Sequence, residues 1–454
     1  MRRSFTALMA GVMSLALPAM ALPPTASLRP EMRPGGTSDL VPVVTVSGHD
    51  SALAVARSLR PMLRDAQANQ PAAEAPRPTR VADQGFAAWL DRFQARARAR
   101  GINQATLDRA FSGVQVNQRV LERDRNQSEF SRALWDYLDS AVSDTRVSNG
   151  RSALAEWRST LDRIEREYRV EAEVVVAIWG LESAYGAMRG DTDIIEAMAT
   201  LAYDGRRQEF FEAQLIAALQ ILQSGDVRPR DMTGSWAGAM GHTQFMPNSY
   251  LRYAVDFSGD GRRDIWSDTP VDALASTANY LAEHGWTHGQ PWGMEVRLPD
   301  GFDFAQTGER IKRSAAYWNA QGVRLADGGR VPDHGEASIL LPAGHTGVAL
   351  VIYDNFHVIE RYNPADAYVI AVGHLSDRIG GASGFSAGWP RGDRALTLAE
   401  REELQRRLTR LGFHRDGIDG IIGPETIASV RRYQASVGLT PDGYASLGVL
   451  ERLR

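Results

Sequence analysis

The stretch from Val174 to Gly190 reads V-V-V-A-I-W-G-L-E-S-A-Y-G-A-M-R-G and contains the side chain best placed to do chemistry, Glu182. On a helix, Val175, Ile178, Trp179 and Glu182 fall at i, i+3, i+4 and i+7, so the acid shares a face with three apolar residues. A glutamate is seldom buried without a partner or a purpose. Desolvation raises its pKa toward the range where a general acid works near neutral pH. Ser183 beside it is placed to donate to the carboxylate, and Gly186 lets another segment approach the helix end. The residues alone leave two readings open: a general acid, or a surface ion pair with Arg189.

A second segment complements the first. Ser235-Trp236-Ala237-Gly238-Ala239-Met240-Gly241 alternates small and large residues and runs into His242-Thr243-Gln244-Phe245-Met246-Pro247. Such a segment can lay backbone amides and a glutamine side chain against an extended polar ligand. Sugars suit these groups, because hydroxyls and acetamides pair with amides and pyranose faces stack on aromatic rings. For each aromatic residue, ordinary core packing is the competing reading.

Several elements must position these residues. Phe86, Trp89, Leu90 and Phe93 recur at helical spacing, and helical periodicity dominates to about Tyr280. Ser338–Leu341 and Val348–Ile352 then read as short strands. Gly380 to Gly384, with Gly388 and Pro390, predicts a linker over 381–395, and helical pattern resumes at 396. The expected fold is mainly α: an α+β domain over 84–380 and a small three-helix domain over 396–454. In the latter, Leu404, Gly412, Phe413, Asp416 and Gly417 recur 26 positions later as Val430, Gly438, Leu439, Asp442 and Gly443.

The chain start predicts export. Arg2 and Arg3 precede an apolar run from Ala7 to Met20, and Ala19-Met20-Ala21 is a small-x-small cleavage site, giving a signal peptide over 1–21. A short membrane anchor is the alternative, but the run is short for a bilayer. Residues 22–83 are rich in proline and alanine and read as a flexible tether, with a short helix around 52–66. The 454 residues carry a formal charge of −4 and no cysteine, which excludes disulfides, thiolate chemistry and a broad basic field for nucleic acid. The mature chain is expected to be soluble and periplasmic, with no transmembrane segment once the leader is cleaved.

In five ordered blocks the chain resembles the membrane-bound lytic murein transglycosylases of the B type, a lysozyme-like family that cleaves peptidoglycan glycan strands. The blocks are Gly180 to Gly186, Leu201 to Arg207, Ser235 to Ser249, Ala278-Asn279-Tyr280, and Asn355 to Tyr368. The resemblance implies one catalytic glutamate at Glu182, acting as acid and then as base, where most glycosidases use two carboxylates. It implies an anhydro product and no cofactor for the chemistry. It also implies a cleft lined by Ser235, Gln244, Phe245 and Tyr280 and closed by Tyr362 and Tyr368. Ser183 would support the acid, and Arg206 and Arg207 would meet stem-peptide carboxylates. A hydrolytic muramidase and a noncatalytic wall-binding scaffold are the alternatives.

Asp256, Ser258 and Asp260 with Gly261 have the spacing of the start of an EF-hand, to which Arg262 would add its backbone carbonyl. By the resemblance Asp272 closes a structural calcium loop, with Asp264 and Asp268 competing for that role. A metal-free Asp-Gly turn fits the same residues. The repeat over 396–454 resembles a peptidoglycan-binding module, expected to hold the enzyme at glycan strands.

Overall fold

The computed structural model describes residues 84–125 and 132–454. The leader, the proline-rich tether and the helix expected around 52–66 lie outside the described residues.

The first helix, Gln84–Ala99, buries Phe86, Trp89, Phe93 and Ala97 along one face, as the spacing predicts. Its rings stack on one another, Phe86 on Trp89 at 5.7 Å and Trp89 on Phe93 at 5.3 Å. The centre of the large apolar core is the helix Ala172–Ser183. Three consecutive valines make it a weak helix on propensity, yet it is buried from Val174 to Gly180, so tertiary packing decides. It packs against the helices Asp366–Ile379 and Asp144–Glu156. Buried on nearly every side, the helix has no solvent face of its own.

After the helix Val271–Glu283 the chain leaves the helical core and builds an antiparallel sheet. In spatial order the strands are Arg324–Leu325, Gly293–Arg297, Ala349–Ile352 and Ser338–Leu340. The two strands expected from sequence are present. Gly293–Arg297 was not anticipated, because five residues with a single glutamate-interrupted alternation give little signal. The sheet has its own apolar core around Trp318, Val323, Ile339 and Val351. The helices Asp354–Tyr362 and Asp366–Ile379 then return the chain to the main core.

Residues 381–395 are held down along their length by side-chain contacts. Phe385 stacks on His374 at 3.9 Å. The backbone N–H and hydroxyl of Ser386 and the N–H of Ala387 all donate to Glu295. Arg391 grips Asp139 with two hydrogen bonds of 2.7 and 2.9 Å. A glycine-rich composition signalled looseness, but these side chains strap the segment down.

The terminal module is three helices, Leu398–Arg410, Pro424–Ser436 and Leu447–Leu453, the first opened by a Thr397/Glu400 capping box. Gly412 and Gly438 both take positive φ, and the next residue's N–H reaches back to Leu408 and Gln434 respectively, so this part of the repeat is structural. The rest of the repeat shifts register. Gln434 grips Asp442 and Gly443, whereas its counterpart Gln405 grips Asp419 and Gly420 rather than Asp416 and Gly417. The module docks on the sheet through His345, whose Nδ1 lies 2.6 Å from Asp442 Oδ2, and through Arg431, which donates to Thr307.

Candidate active site

Glu182 sits in the last turn of the central helix and is 7% exposed. The helix ends abruptly because Ala184, Tyr185 and Gly186 all take positive φ. The Gly-Leu-Glu-Ser-x-Tyr-Gly pattern follows from packing at this turn. A Cβ on Gly180 would lie 2.5 Å from the Tyr185 ring, whose hydroxyl donates to the Arg146 carbonyl at 2.7 Å. A Cβ on Gly186 would lie 2.6 Å from the His242 ring. The glycines therefore let Tyr185 and His242 close around the glutamate's turn.

The carboxylate meets a phenol. Tyr368, on the helix Asp366–Ile379, donates to Glu182 Oε1 at 2.8 Å in a buried setting. Tyr137 is a second buried phenol close by. Burial holds its pKa above the ordinary range, and the negative charge of Glu182 pushes in the same direction. Arg189 is not the glutamate's ion-pair partner. It turns to Asp268 at 2.8 Å and to the carbonyls of Trp266 and Ser267.

Ser183 departs from its expected role. Its hydroxyl donates to the His242 carbonyl at 2.5 Å and accepts from the Gly186 N–H, pinning the helix end to the second segment instead of assisting the carboxylate. His242, which the sequence reading left without a role, is the centre of this junction. Its Nδ1 accepts from Trp179 Nε1 at 3.1 Å and its Nε2 faces the Ser267 carbonyl at 2.7 Å, which selects the neutral Nε2–H tautomer. Burial lowers its pKa, opposed by the bond to the Ser267 carbonyl and helped by the nearby Arg189 charge.

The small residues of the 235–245 segment are small because its backbone packs closely. A Cβ on Gly241 would lie 2.2 Å from the Ile265 carbonyl, and one on Gly238 would lie 2.4 Å from Met198. Its amides were expected to face a ligand, but they serve the segment's own fold. Ala239 donates to the Ser235 hydroxyl, Met240 and Phe245 exchange backbone bonds, and His242 donates to Ile265. Gln244 holds a positive φ of 56° and donates to the carbonyls of Arg189 and Gly241.

The aromatic set is also placed differently from expectation. Phe245 is fully buried and packs on Tyr280 and Tyr362 at 5.9 Å each, so it stands behind the cleft wall and cannot present a face to a sugar. Tyr362 is 1% exposed and donates to the Thr243 carbonyl, while Tyr280 donates to the Arg361 carbonyl. Arg206 and Arg207 both grip Asp124, and Arg206 also takes Asp204, which engages this pair with protein carboxylates. A cavity of about 370 Å³ opens beside Trp236 and Asp191, with Arg119, Arg123 and Arg230 on its walls.

In the 256–272 loop the carboxylates of Asp256, Asp260 and Asp272 converge, with ligand atoms within 4.8 Å of one another. The oxygen-only donor set suits a hard cation such as calcium. Asp264 instead caps Trp266 and Ser267, and Asp268 pairs with Arg189, so of the three competitors Asp272 is the one at the cluster. Asp272 also accepts from the backbone of Phe257, Ser258 and Asp264, and burial raises its pKa against those bonds.

One carboxylate buried at the end of a central helix and hydrogen-bonded by a phenol, in a mainly helical domain with a small sheet, defines a lysozyme-like glycan-cleaving domain. The transglycosylase SLT domain model matches residues 85–377, and a peptidoglycan-binding domain model matches residues 397–453. The chain is 36% identical over 250 residues to the membrane-bound lytic murein transglycosylase B of Escherichia coli K12, a match spanning 54% of this chain and 66% of that protein. The crystal structure of SltB3 from Pseudomonas aeruginosa in complex with NAG-anhNAM-pentapeptide is similar, with 48% identity and a TM-score of 0.80, covering 82% of this chain and all of that one. The Escherichia coli lytic transglycosylase Slt35 in complex with calcium is 31% identical with a TM-score of 0.55, covering 66% of this chain and 93% of that one. The chain belongs to the SLT transglycosylase family and is a lytic transglycosylase of the type these relatives represent. No helix among the described residues is long and apolar enough to cross a membrane.

Proposed function

We propose that this chain cleaves the β-1,4 bond between N-acetylmuramic acid and N-acetylglucosamine in peptidoglycan, with Glu182 as the sole acid and base. The observation that carries the reading is the buried Glu182 carboxyl held by Tyr368 at 2.8 Å. Glu182 begins protonated and gives its proton to the bridging oxygen as the bond from C1 to that oxygen breaks. The muramyl acetamide oxygen steadies the positive charge at C1. The ionised Glu182 then takes the proton of the 6-hydroxyl, O6 bonds to C1, and a 1,6-anhydro ring closes with the acid restored. No water is consumed. A hydroxyl already on the ring outcompetes water because its effective molarity is on the order of 10⁵ M or more.

Around that centre the residues divide by task. Ser183, Trp179 and His242 fix the end of the glutamate's helix. Gln244 has both amide protons engaged, so its side-chain oxygen is the group left to accept from an acetamide N–H. Ser235 and Tyr280 shape the wall, and the fully buried Phe245 and Tyr362 back it. Arg206 and Arg207 reach stem-peptide carboxylates only by sharing charge already committed to Asp124.

The 256–272 loop is proposed to hold a structural calcium through Asp256, Ser258, Asp260, the Arg262 carbonyl and Asp272. The convergent carboxylates and the calcium complex of Slt35 support this. Residues 396–454 are proposed to bind the wall, and residues 1–21 to export the chain to the periplasm, where its substrate lies. The direct test is Glu182→Gln, which keeps the shape and loses the proton. Purified wall should remain undigested by a variant that folds and still sediments with it. Digestion at near wild-type rate would remove Glu182 from the mechanism.

A further inference from the structure

We infer that the chain carries a second cation site, formed by Glu309, His357 and Glu360, which takes a divalent transition metal of zinc type. The three residues come from two elements. His357 and Glu360 are three apart on the helix Asp354–Tyr362 and so share a face. Glu309 lies on a segment that runs along the sheet edge, where the Gly308 N–H donates to Ile339 and the Ser338 hydroxyl donates to the Glu309 carbonyl. Their ligand atoms all fall within 4.8 Å of one another.

Burial argues against a solvated acidic cluster. Glu309 is 1% exposed, and the Glu360 side chain is 10% exposed with its Oε1 buried and lacking a hydrogen-bond partner. An ionised carboxylate oxygen in that state carries a desolvation cost that a cation would offset. His357 Nδ1 and Glu360 Oε2 are 3.1 Å apart. Two ligand atoms held tetrahedrally at zinc distances lie roughly 3.3 Å apart, so small side-chain movements would seat both on one ion. One imidazole and two carboxylates form a mixed N/O set that favours zinc over calcium, which separates this site from the all-oxygen 256–272 loop. The His357 side chain is 29% exposed and gives the ion a way in. A bound ion would clamp the 308–313 segment onto the helix that carries Tyr362, beside the existing Lys312–Asp354 ion pair.

The test uses the full chain, free of any affinity tag, in calcium excess so that the 256–272 loop is occupied. Titration with zinc, and with cobalt read by visible absorption, should show one ion bound per chain with the spectrum of a nitrogen-containing, low-coordinate site. His357→Gln and Glu360→Gln should each weaken zinc binding by at least about tenfold while keeping the wild-type circular dichroism and the response to calcium. Zinc binding that is absent, that calcium displaces in competition, or that both variants retain at wild-type strength would overturn the assignment.

Discussion

The Tyr368 hydroxyl reaches Glu182 Oε1 at 2.8 Å across 186 residues of chain, joining the helix that returns from the sheet to the helix at the centre of the core. The bond does two things. It fixes the rotamer of the one carboxyl that must face both the bridging oxygen and the 6-hydroxyl, and it stabilises the ionised form that acts as base. Tyr368→Phe should lower kcat/KM about tenfold or more, the scale of one hydrogen bond to a charged group. Removing a donor that favours the ionised form also raises the carboxyl pKa. The alkaline limb of the pH–rate profile, where the acid loses its proton, should therefore move to higher pH. A slower enzyme with an unmoved limb would mean that Tyr368 only packs.

Gly186→Ala tests the junction behind the glutamate. The residue takes a φ of +86°, and its new Cβ would lie 2.6 Å from the His242 ring. Strain and clash together should cost at least about 2 kcal/mol, visible in urea unfolding. Activity should fall in the fraction that still folds, because the Trp179–His242 bond anchors the same turn. Unchanged stability would show that the turn relaxes freely.

Acid sensitivity should have an identifiable component from His374. This residue is 8% exposed and stacks on Phe385, and burial, helped by the Arg378 charge, lowers its pKa to about 4. The unfolded chain takes up this proton at about 6.5 and the folded chain does not. The stability contribution is thus complete above pH 6.5 and lost as pH falls toward 4, about 3 kcal/mol in all. His374→Phe keeps a ring on Phe385 and should flatten the fall across that window. Losses below pH 4.5 should survive the substitution, because there the unfolded chain takes up a proton at Glu400, whose folded-state pKa Arg394 lowers to about 2.

Calcium should raise the unfolding temperature, and chelation should reverse the rise. At a hundredfold excess over its dissociation constant, calcium would add roughly 2.7 kcal/mol. Asp272→Asn removes the one buried carboxylate charge of the site and should abolish most of the calcium response in a scanning calorimeter. Without calcium this variant keeps the Ser258 and Phe257 bonds through its amide oxygen but turns an N–H toward the Asp264 N–H, so it should lose about 1–3 kcal/mol even before calcium is added. A calcium response of wild-type size in Asp272→Asn would move the closing ligand elsewhere.

An apolar run with one glutamate also fits an ion pair, and the acid became legible only together with the 235–247 segment and the ordered motif blocks. The sequence could not reveal that Tyr368 and Tyr137 surround that acid, since both arrive from helices distant in sequence. Motif aromatics were ambiguous for a physical reason. A ring that forms a cleft wall and a ring that backs it have the same composition signal, and only burial separates Phe245 from a sugar-facing residue. The partner of Arg206 and Arg207 was not legible, because Asp124 sits in the helix Gln118–Arg125, which has no motif of its own. The contacts that hold 381–395 to Glu295 and Asp139 were not legible either, because glycine-rich composition carries no sign of distant partners.

In the proposed reaction a sugar hydroxyl, and not water, attacks C1 under Glu182. Digestion of purified peptidoglycan in H₂¹⁸O, followed by mass spectrometry of the released muropeptides, tests it most directly. The expected products are 1,6-anhydro ends that carry no heavy oxygen, formed by the wild type and not by Glu182→Gln. Reducing ends labelled with ¹⁸O as the main product would contradict the proposed reaction and make the enzyme a hydrolase.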